Sequence, residues 1–253
     1  MCIIFLAYNA HPRFPLIVAA NRDEFYDRPT APLHFWEDYP NILAGRDLKE
    51  QGTWLGITRL GRFAGLTNFR NPNEDQTEKQ SRGHIIREYL IGVDEPDHFI
   101  EQLQMNRDKY RGYNLLVGNP SSLWYYSNIE NKPVRLHPGI YGLSNHHLDT
   151  PWPKVEKGKK AFSSYLKNKY VNPDDLFNIL ADAEQAKDEY LPDTGVGYEW
   201  EKKLSSIFIK SERYGTRSSY VILIDRHFHI YFHEKFFIDQ NTKEKVYKFK
   251  IEV

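Results

Sequence analysis

The sequence holds a single cysteine, Cys2, among 253 residues. One thiol excludes an internal disulfide and any zinc site built from several cysteines. It suits a reducing, cytoplasmic compartment. An excess of either charge is also missing: Lys plus Arg and Asp plus Glu both number 34. A balanced surface gives no electrostatic reason to expect nucleic acid or an anionic membrane as partner. The N-terminal apolar run, Ile3 to Tyr8, is too short to span a bilayer. It has no basic flank and no small-residue cleavage site, so it does not read as a leader either. Linkers rich in Gly, Ser or Pro, internal repeats and low-complexity tracts are absent, so residues 1–253 are expected to form one domain. The chain has no phosphate-loop, dinucleotide-binding or His-Glu-x-x-His motif, and no cofactor and no metal are expected. A small-molecule substrate or ligand is the expected partner, and the residue pattern does not bear on oligomeric state.

What is present is apolar and aromatic. Cys2–Tyr8, Pro15–Asn21, Phe63–Thr67, Tyr113–Gly118 and Tyr220–Asp225 are near-continuous apolar runs, the pattern of strands covered on both faces. The links between them are short: about five residues after Tyr8, and Arg59-Leu60-Gly61 between Thr58 and Arg62. Short links mean antiparallel pairs. Helical spacing appears in two blocks, one from Ser81 through Met105 and one from Pro153 through Leu180. Asn172-Pro173 reads as an N-cap followed by proline at the first helical position. Phe99, Leu103 and Met105 are expected to face inward. The order strands, helices, strands, helices, strands predicts an α+β fold: a four-layer αββα sandwich of two stacked, mainly antiparallel sheets flanked by helices. Residues 25–45 and 184–200 read as loops that would set specificity, the second held as a lid by Tyr190, Tyr198 and Trp200. His227, His229 and His233, with Tyr231, alternate on one strand, which is expected to be a solvent-facing edge.

Cys2 carries the first chemical signal. Removal of Met1, favoured by a small second residue, would leave a thiol and a free α-amine on one residue. Their ordinary pKa values, about 8.5 and about 7.7–8.0, suit a nucleophile paired with its own base. The second apolar strand ends in Asn21-Arg22-Asp23-Glu24, and a short link would return that end to Cys2. A carboxylate there can hold the amine, and an arginine can favour the thiolate. Asn68 and Asn145 each close an apolar strand, where an amide donor can stabilise an oxyanion. Arg217 precedes the late buried strand and is placed to orient a carboxylate.

The blocks around these residues are specific in combination. Asn21–Glu24, Gly45-Arg46-Asp47, Gly52-Thr53-Trp54-Leu55-Gly56, Gly65-Leu66-Thr67-Asn68, Ser81-Arg82-Gly83, Gly142-Leu143-Ser144-Asn145, Leu148-Asp149-Thr150-Pro151-Trp152-Pro153-Lys154 and Tyr214-Gly215-Thr216-Arg217-Ser218-Ser219 occur in order along nearly the whole chain. In these the chain resembles the NRDE family, also called the Transport and Golgi Organisation family. The resemblance implies an N-terminal-nucleophile hydrolase type of fold, which agrees with the layer argument. Through that superfamily it also implies the catalytic set of cysteine amidases. Cys2 would be the nucleophile and Asp23 the holder of the amine; Asn68 and Asn145 would bind the oxyanion, and Arg217 would complete the site. Asn21, Arg22, Trp54 and His146 are expected at the substrate. Those amidases carry an arginine three residues before the Asp, where this chain has Ala20. Arg22 is the nearest arginine, and strand alternation turns it away from Asp23. The expected activity is hydrolysis of a carbon–nitrogen amide bond in a small, partly apolar substrate. The alternative reading is a non-catalytic carrier of an apolar ligand such as heme or lipid, because the resemblance implies links to heme or lipid handling. In eukaryotic members it implies links to Golgi organisation.

Overall fold

The computed structural model describes residues 2–74, 79–119, 122–238 and 241–252. Within them, thirteen strands form two antiparallel sheets. β1 (Cys2–Tyr8) and β2 (Leu16–Phe25) are joined by the expected short link and pair along the whole of β1, Tyr8 opposite Leu16 and Cys2 opposite Arg22. They sit in the six-stranded sheet with β10 (Gly139–Leu143), β11 (Tyr214–Ile224), β12 (His229–Ile238) and β13 (Asn241–Lys250), ordered β10-β1-β2-β11-β12-β13. The second sheet runs in sequence order through seven strands. These are β3 (Thr30–Phe35), β4 (Ile42–Asp47), β5 (Leu55–Thr58), β6 (Phe63–Asn68), β7 (Tyr113–Asn119), β8 (Ser122–Ser127) and β9 (Val134–Arg135).

Alternation on β1 and β2 explains the layers. Ile4, Leu6, Leu16 and Val18 point to the second sheet and join Leu55, Phe63 and Leu116 in the core between the sheets. Ile3, Phe5, Ile17 and Ala19 point the other way, under α3 (Pro153–Tyr165) and α4 (Pro173–Leu180). α1 (Gly83–Ile91) and α2 (Pro96–Met105) cover the outer face of the second sheet through Ile85, Ile86, Phe99 and Leu103. The result is the αββα sandwich. Asn172 caps α4 as expected, its side chain accepting from the Asp174 backbone N–H at 3.1 Å. Among the described residues no helix is long and apolar enough to cross a membrane.

Four local expectations change. Residues 25–45 are largely β3 and β4 rather than a loop; the mixed sequence Thr30–Phe35, with Pro32 inside it, lacks a clean apolar run. β12 is not an edge, because β13 pairs with it from His229 to Ile238. β13 is hard to see in sequence because its side chains are mostly exposed. Met105 ends α2 and is solvent-exposed. In the 184–200 segment Tyr190, Tyr198 and Trp200 are exposed, although the Trp200 ring meets Tyr214 edge-on at 5.9 Å. The anchor is Glu201 of α5 (Tyr198–Lys203), which takes Arg70 Nη1 at 2.5 Å in a fully buried ion pair. Glu201 also accepts the Thr194 backbone N–H at 2.8 Å, which fixes the segment.

Candidate active site

A cleft of about 340 Å³ opens at the end of the sandwich where β1 begins and β2, β4 and β6 finish. Strand ends leave the ladder there, so their side chains are free to converge. Cys2 and Arg22 are direct antiparallel partners and therefore share the face between the sheets. The Arg22 guanidinium is buried and stacks over the Trp54 ring at 4.0 Å. Trp54 in turn occupies the space above Gly45, where an added Cβ would lie 2.6 Å from its ring. That close approach requires glycine on β4. Ala20 faces Ile4 inside the core, two register pairs deeper than Cys2. Arg22, two residues on, therefore stands on Ala20's face, directly across from the thiol.

Asp23 is buried at the floor of the cleft. Thr216 Oγ1 donates to its Oδ1 at 2.7 Å, and the Tyr214 hydroxyl donates to its backbone carbonyl at 3.0 Å. Burial raises its carboxyl above the ordinary range, while Lys154, Thr216 and Arg22 act in the opposite direction. Burial also raises the Cys2 thiol, and the Asp23 carboxylate adds to that; the Asp23 backbone N–H and Arg22 oppose it. A thiol held protonated in this way needs a base before it can attack.

Behind Asp23 lies Lys154, in the first turn of α3. Its ammonium is buried, with no hydrogen-bond partner among the described residues. Burial lowers it to about 8, against the attraction of Asp23. Its folded pKa lies below the unfolded value of about 10.4, so between those values the unfolded chain binds more protons. Stability carried by this group therefore rises with pH from about 8 to about 10.4. The difference in unfolding free energy between the native protein and Lys154→Met is expected to change across that window by roughly 3 kcal/mol, the equivalent of the shift. Denaturant titrations at stepped pH measure it, and a pH-independent difference would contradict the assignment.

Of the residues singled out in sequence, Cys2, Arg22, Asp23, Trp54 and Asn68 line the cleft. Asn145 does not. It is fully buried, and its Nδ2 donates to the Asn68 backbone carbonyl at 2.9 Å, so it holds Asn68 in place. Arg217 occupies a β-bulge in β11 and is not part of the cleft lining. Its Nη1 bridges the carbonyls of Phe25 and Arg28 at 2.8 and 2.9 Å. Asn21 faces the helical layer, where Nδ2 donates to Leu180 and Ile207 carbonyls and Oδ1 accepts from Ser219. His146 stacks between Phe69 and Trp152, outside the cleft lining. Lys154, Thr216 and Arg82 were not given roles from sequence. Each stands inside a block quoted above, and only the three-dimensional approach of those blocks assigns it a place.

Two stacked antiparallel sheets between helices, with a cysteine opening the first strand at a cleft, define the class: a protein of N-terminal-nucleophile hydrolase fold. The mutant C2A conjugated bile acid hydrolase from Clostridium perfringens shares that fold. It superposes over 100% of this chain and 97% of its own with a TM-score of 0.57, at 8% sequence identity. The chain belongs to the Transport and Golgi organisation 2 family, which it matches over residues 1–239. It is 34% identical to the Homo sapiens Transport and Golgi organization protein 2 homolog over 276 residues, spanning 100% of both chains. It is 33% identical to the Mus musculus Transport and Golgi organization 2 homolog over 263 residues, covering 96% of this chain and 95% of that one.

Proposed function

We propose that the protein is an N-terminal cysteine hydrolase that cleaves a carbon–nitrogen amide bond in a small substrate. The observation that carries this reading is the meeting of Cys2 and Asp23 in one cleft, with Arg22 directly across from the thiol. Removal of Met1 exposes the α-amine of Cys2. The amine takes the thiol proton as Sγ attacks the amide carbonyl. Asp23 holds the resulting ammonium, and the Asn68 amide donates to the oxyanion. Collapse breaks the carbon–nitrogen bond, and the ammonium returns its proton to the leaving amine. Water, deprotonated by the same α-amine, then cleaves the thioester and releases the acid. Asn145 acts through Asn68, and Arg217 through the backbone after β2.

Leu66 and the Trp54 ring give the cleft a limited apolar wall, while most of its lining is charged or polar. That lining supports a small polar substrate over the carrier reading for heme or lipid. A catalytic thiol must stay reduced, so we place its action in a reducing compartment such as the cytoplasm. The fold of a bile acid hydrolase crystallised as its C2A mutant is in keeping with a cysteine at this position as nucleophile.

Intact-mass measurement on the native protein tests the premise. The expected species lacks Met1, and alkylation with iodoacetamide adds one group, mapped to Cys2. A protein that retains Met1 would sink the mechanism, because the α-amine would then not belong to the nucleophile.

A further inference from the structure

The cleft contains an unused donor that the mechanism above does not employ. Arg22 is 4% exposed, and its Nη1 is buried with no hydrogen-bond partner among the described residues. The nearest carboxylate on its own strand, Glu24, stands 4.0 Å away from the other nitrogen, Nη2. Trp54 Nε1, in the ring beneath Arg22, is also buried and unpartnered among the described residues. Both side chains line the cleft beside Cys2. Leaving a buried cationic donor without an acceptor is costly. Both donors lack an acceptor at a wall of the cleft, and a ligand seated against that wall would supply one.

The charge around them selects the acceptor. The cationic side chains lining the cleft are Arg22, Arg28, Lys79, Arg82 and Arg111, and the anionic ones are Asp23, Glu24, Asp47 and Glu50. Among the described residues, five against four leaves a surplus of one positive charge. Arg28 is spent on Asp47 in a two-nitrogen fork, with contacts of 2.7 and 3.1 Å to Oδ2. Lys79 donates to the Asp108 carbonyl at 2.7 Å, and Arg82 spends Nη1 on the Gly112 carbonyl at 2.9 Å. A monoanion matches that surplus, whereas a phosphate dianion would meet Glu24, Asp47 and Glu50 with too little positive charge.

We propose that Arg22 Nη1 and Trp54 Nε1, with Arg82 reaching in from the α1 side, form an anion subsite that binds the carboxylate of a small amide substrate. This rests on the hydrolase reading and names its substrate class: amides that carry a carboxylate a few bonds from the scissile carbon. The spacing follows from the ladder. Cys2 and Arg22 are direct partners, and such pairs place their Cα atoms about 4.5–5.5 Å apart, so nucleophile and carboxylate grip are close neighbours.

The probes are succinamate and its neutral counterpart succinamide, titrated by calorimetry or ligand-observed NMR into mature Cys2→Ala protein, which cannot turn either over. Succinamate is expected to bind at least tenfold more tightly. Arg22→Gln in the same background is expected to bring the ratio near one. Because Arg22 is buried, circular dichroism must show that this variant folds; Arg82→Gln, at a partly exposed position, is the second variant and is expected to lower the ratio several-fold. Equal binding of the two probes overturns the proposal. So does an unchanged ratio in every variant that folds, or inorganic phosphate that binds more tightly than succinamate. Selective succinamate binding with no amide turnover by the native protein would uphold the subsite and defeat the hydrolase reading, so the two failures are distinguishable.

Discussion

Cys2→Ala is expected to lower amide turnover by about 10⁴-fold or more while leaving the fold in place. The chain offers no other thiol. Loss of a catalytic nucleophile costs about 10⁴–10⁶ in rate where such residues act as a unit. The same substitution removes one sulfur from a half-buried position at the tip of β1, so the stability change is expected to stay within about 1 kcal/mol. Single-turnover kinetics on a panel of carboxylate-bearing amides, together with a melting curve, separate the two effects. Cys2→Ser keeps a nucleophilic atom and the α-amine, and is expected to fall between the native protein and the alanine variant. Full activity in Cys2→Ala would show that the thiol is not the reacting group.

Gly158→Val is expected to destabilise the protein by about 3 kcal/mol. α3 crosses β1 at Gly158, where an added Cβ would lie 2.0 Å from the Phe5 ring. Phe5 is fully buried and packs against Phe162 at a centroid distance of 6.0 Å, so the ring cannot step aside without displacing a second one. Overpacking of this kind costs about 1–3 kcal/mol and occasionally more, and the two methyl groups that valine carries beyond Cβ place this case at the upper end. For a chain of this size the melting temperature should fall by roughly 6–12 °C. Lys154 stands one helical turn earlier on the same helix, so a shifted α3 moves its ammonium relative to Asp23. The pH-dependent stability between about 8 and about 10.4 should therefore flatten in the variant. An unchanged melting temperature would mean that the helix–sheet contact is looser than the geometry indicates.

Legibility varied with how local the signal was. The paired strands β1 and β2 were readable because two apolar runs flank a short link, which leaves antiparallel pairing as the simple solution. The α4 cap was readable because Asn172-Pro173 acts within one turn. β3 and β13 were not, since one is short and mixed and the other is mostly exposed. Neither carries the apolar pattern that marks a buried strand. Among site residues, Asn145 and Arg217 show what sequence position leaves open. Asn145 follows the end of β10 and Arg217 sits in a bulge within β11, yet the amide of one is committed to the Asn68 backbone and the guanidinium of the other to the carbonyls of Phe25 and Arg28.

The sequence by itself determined the layers, because burial on both strand faces requires cover on both sides. It also determined that the only thiol opens the first strand and that Asn21–Glu24 ends the second. Only the tertiary structure decided which side chains of those blocks face the cleft. Register is the physical reason: a slip of one residue would exchange Arg22 with Asp23 between the two faces of the sheet. The observed register sets Arg22 against Cys2 and turns Asp23 toward Thr216 and the side where Lys154 lies. Long-range packing, Gly45 under Trp54 and Gly158 against Phe5, then holds the two sheets and α3 close enough for those groups to act on one another.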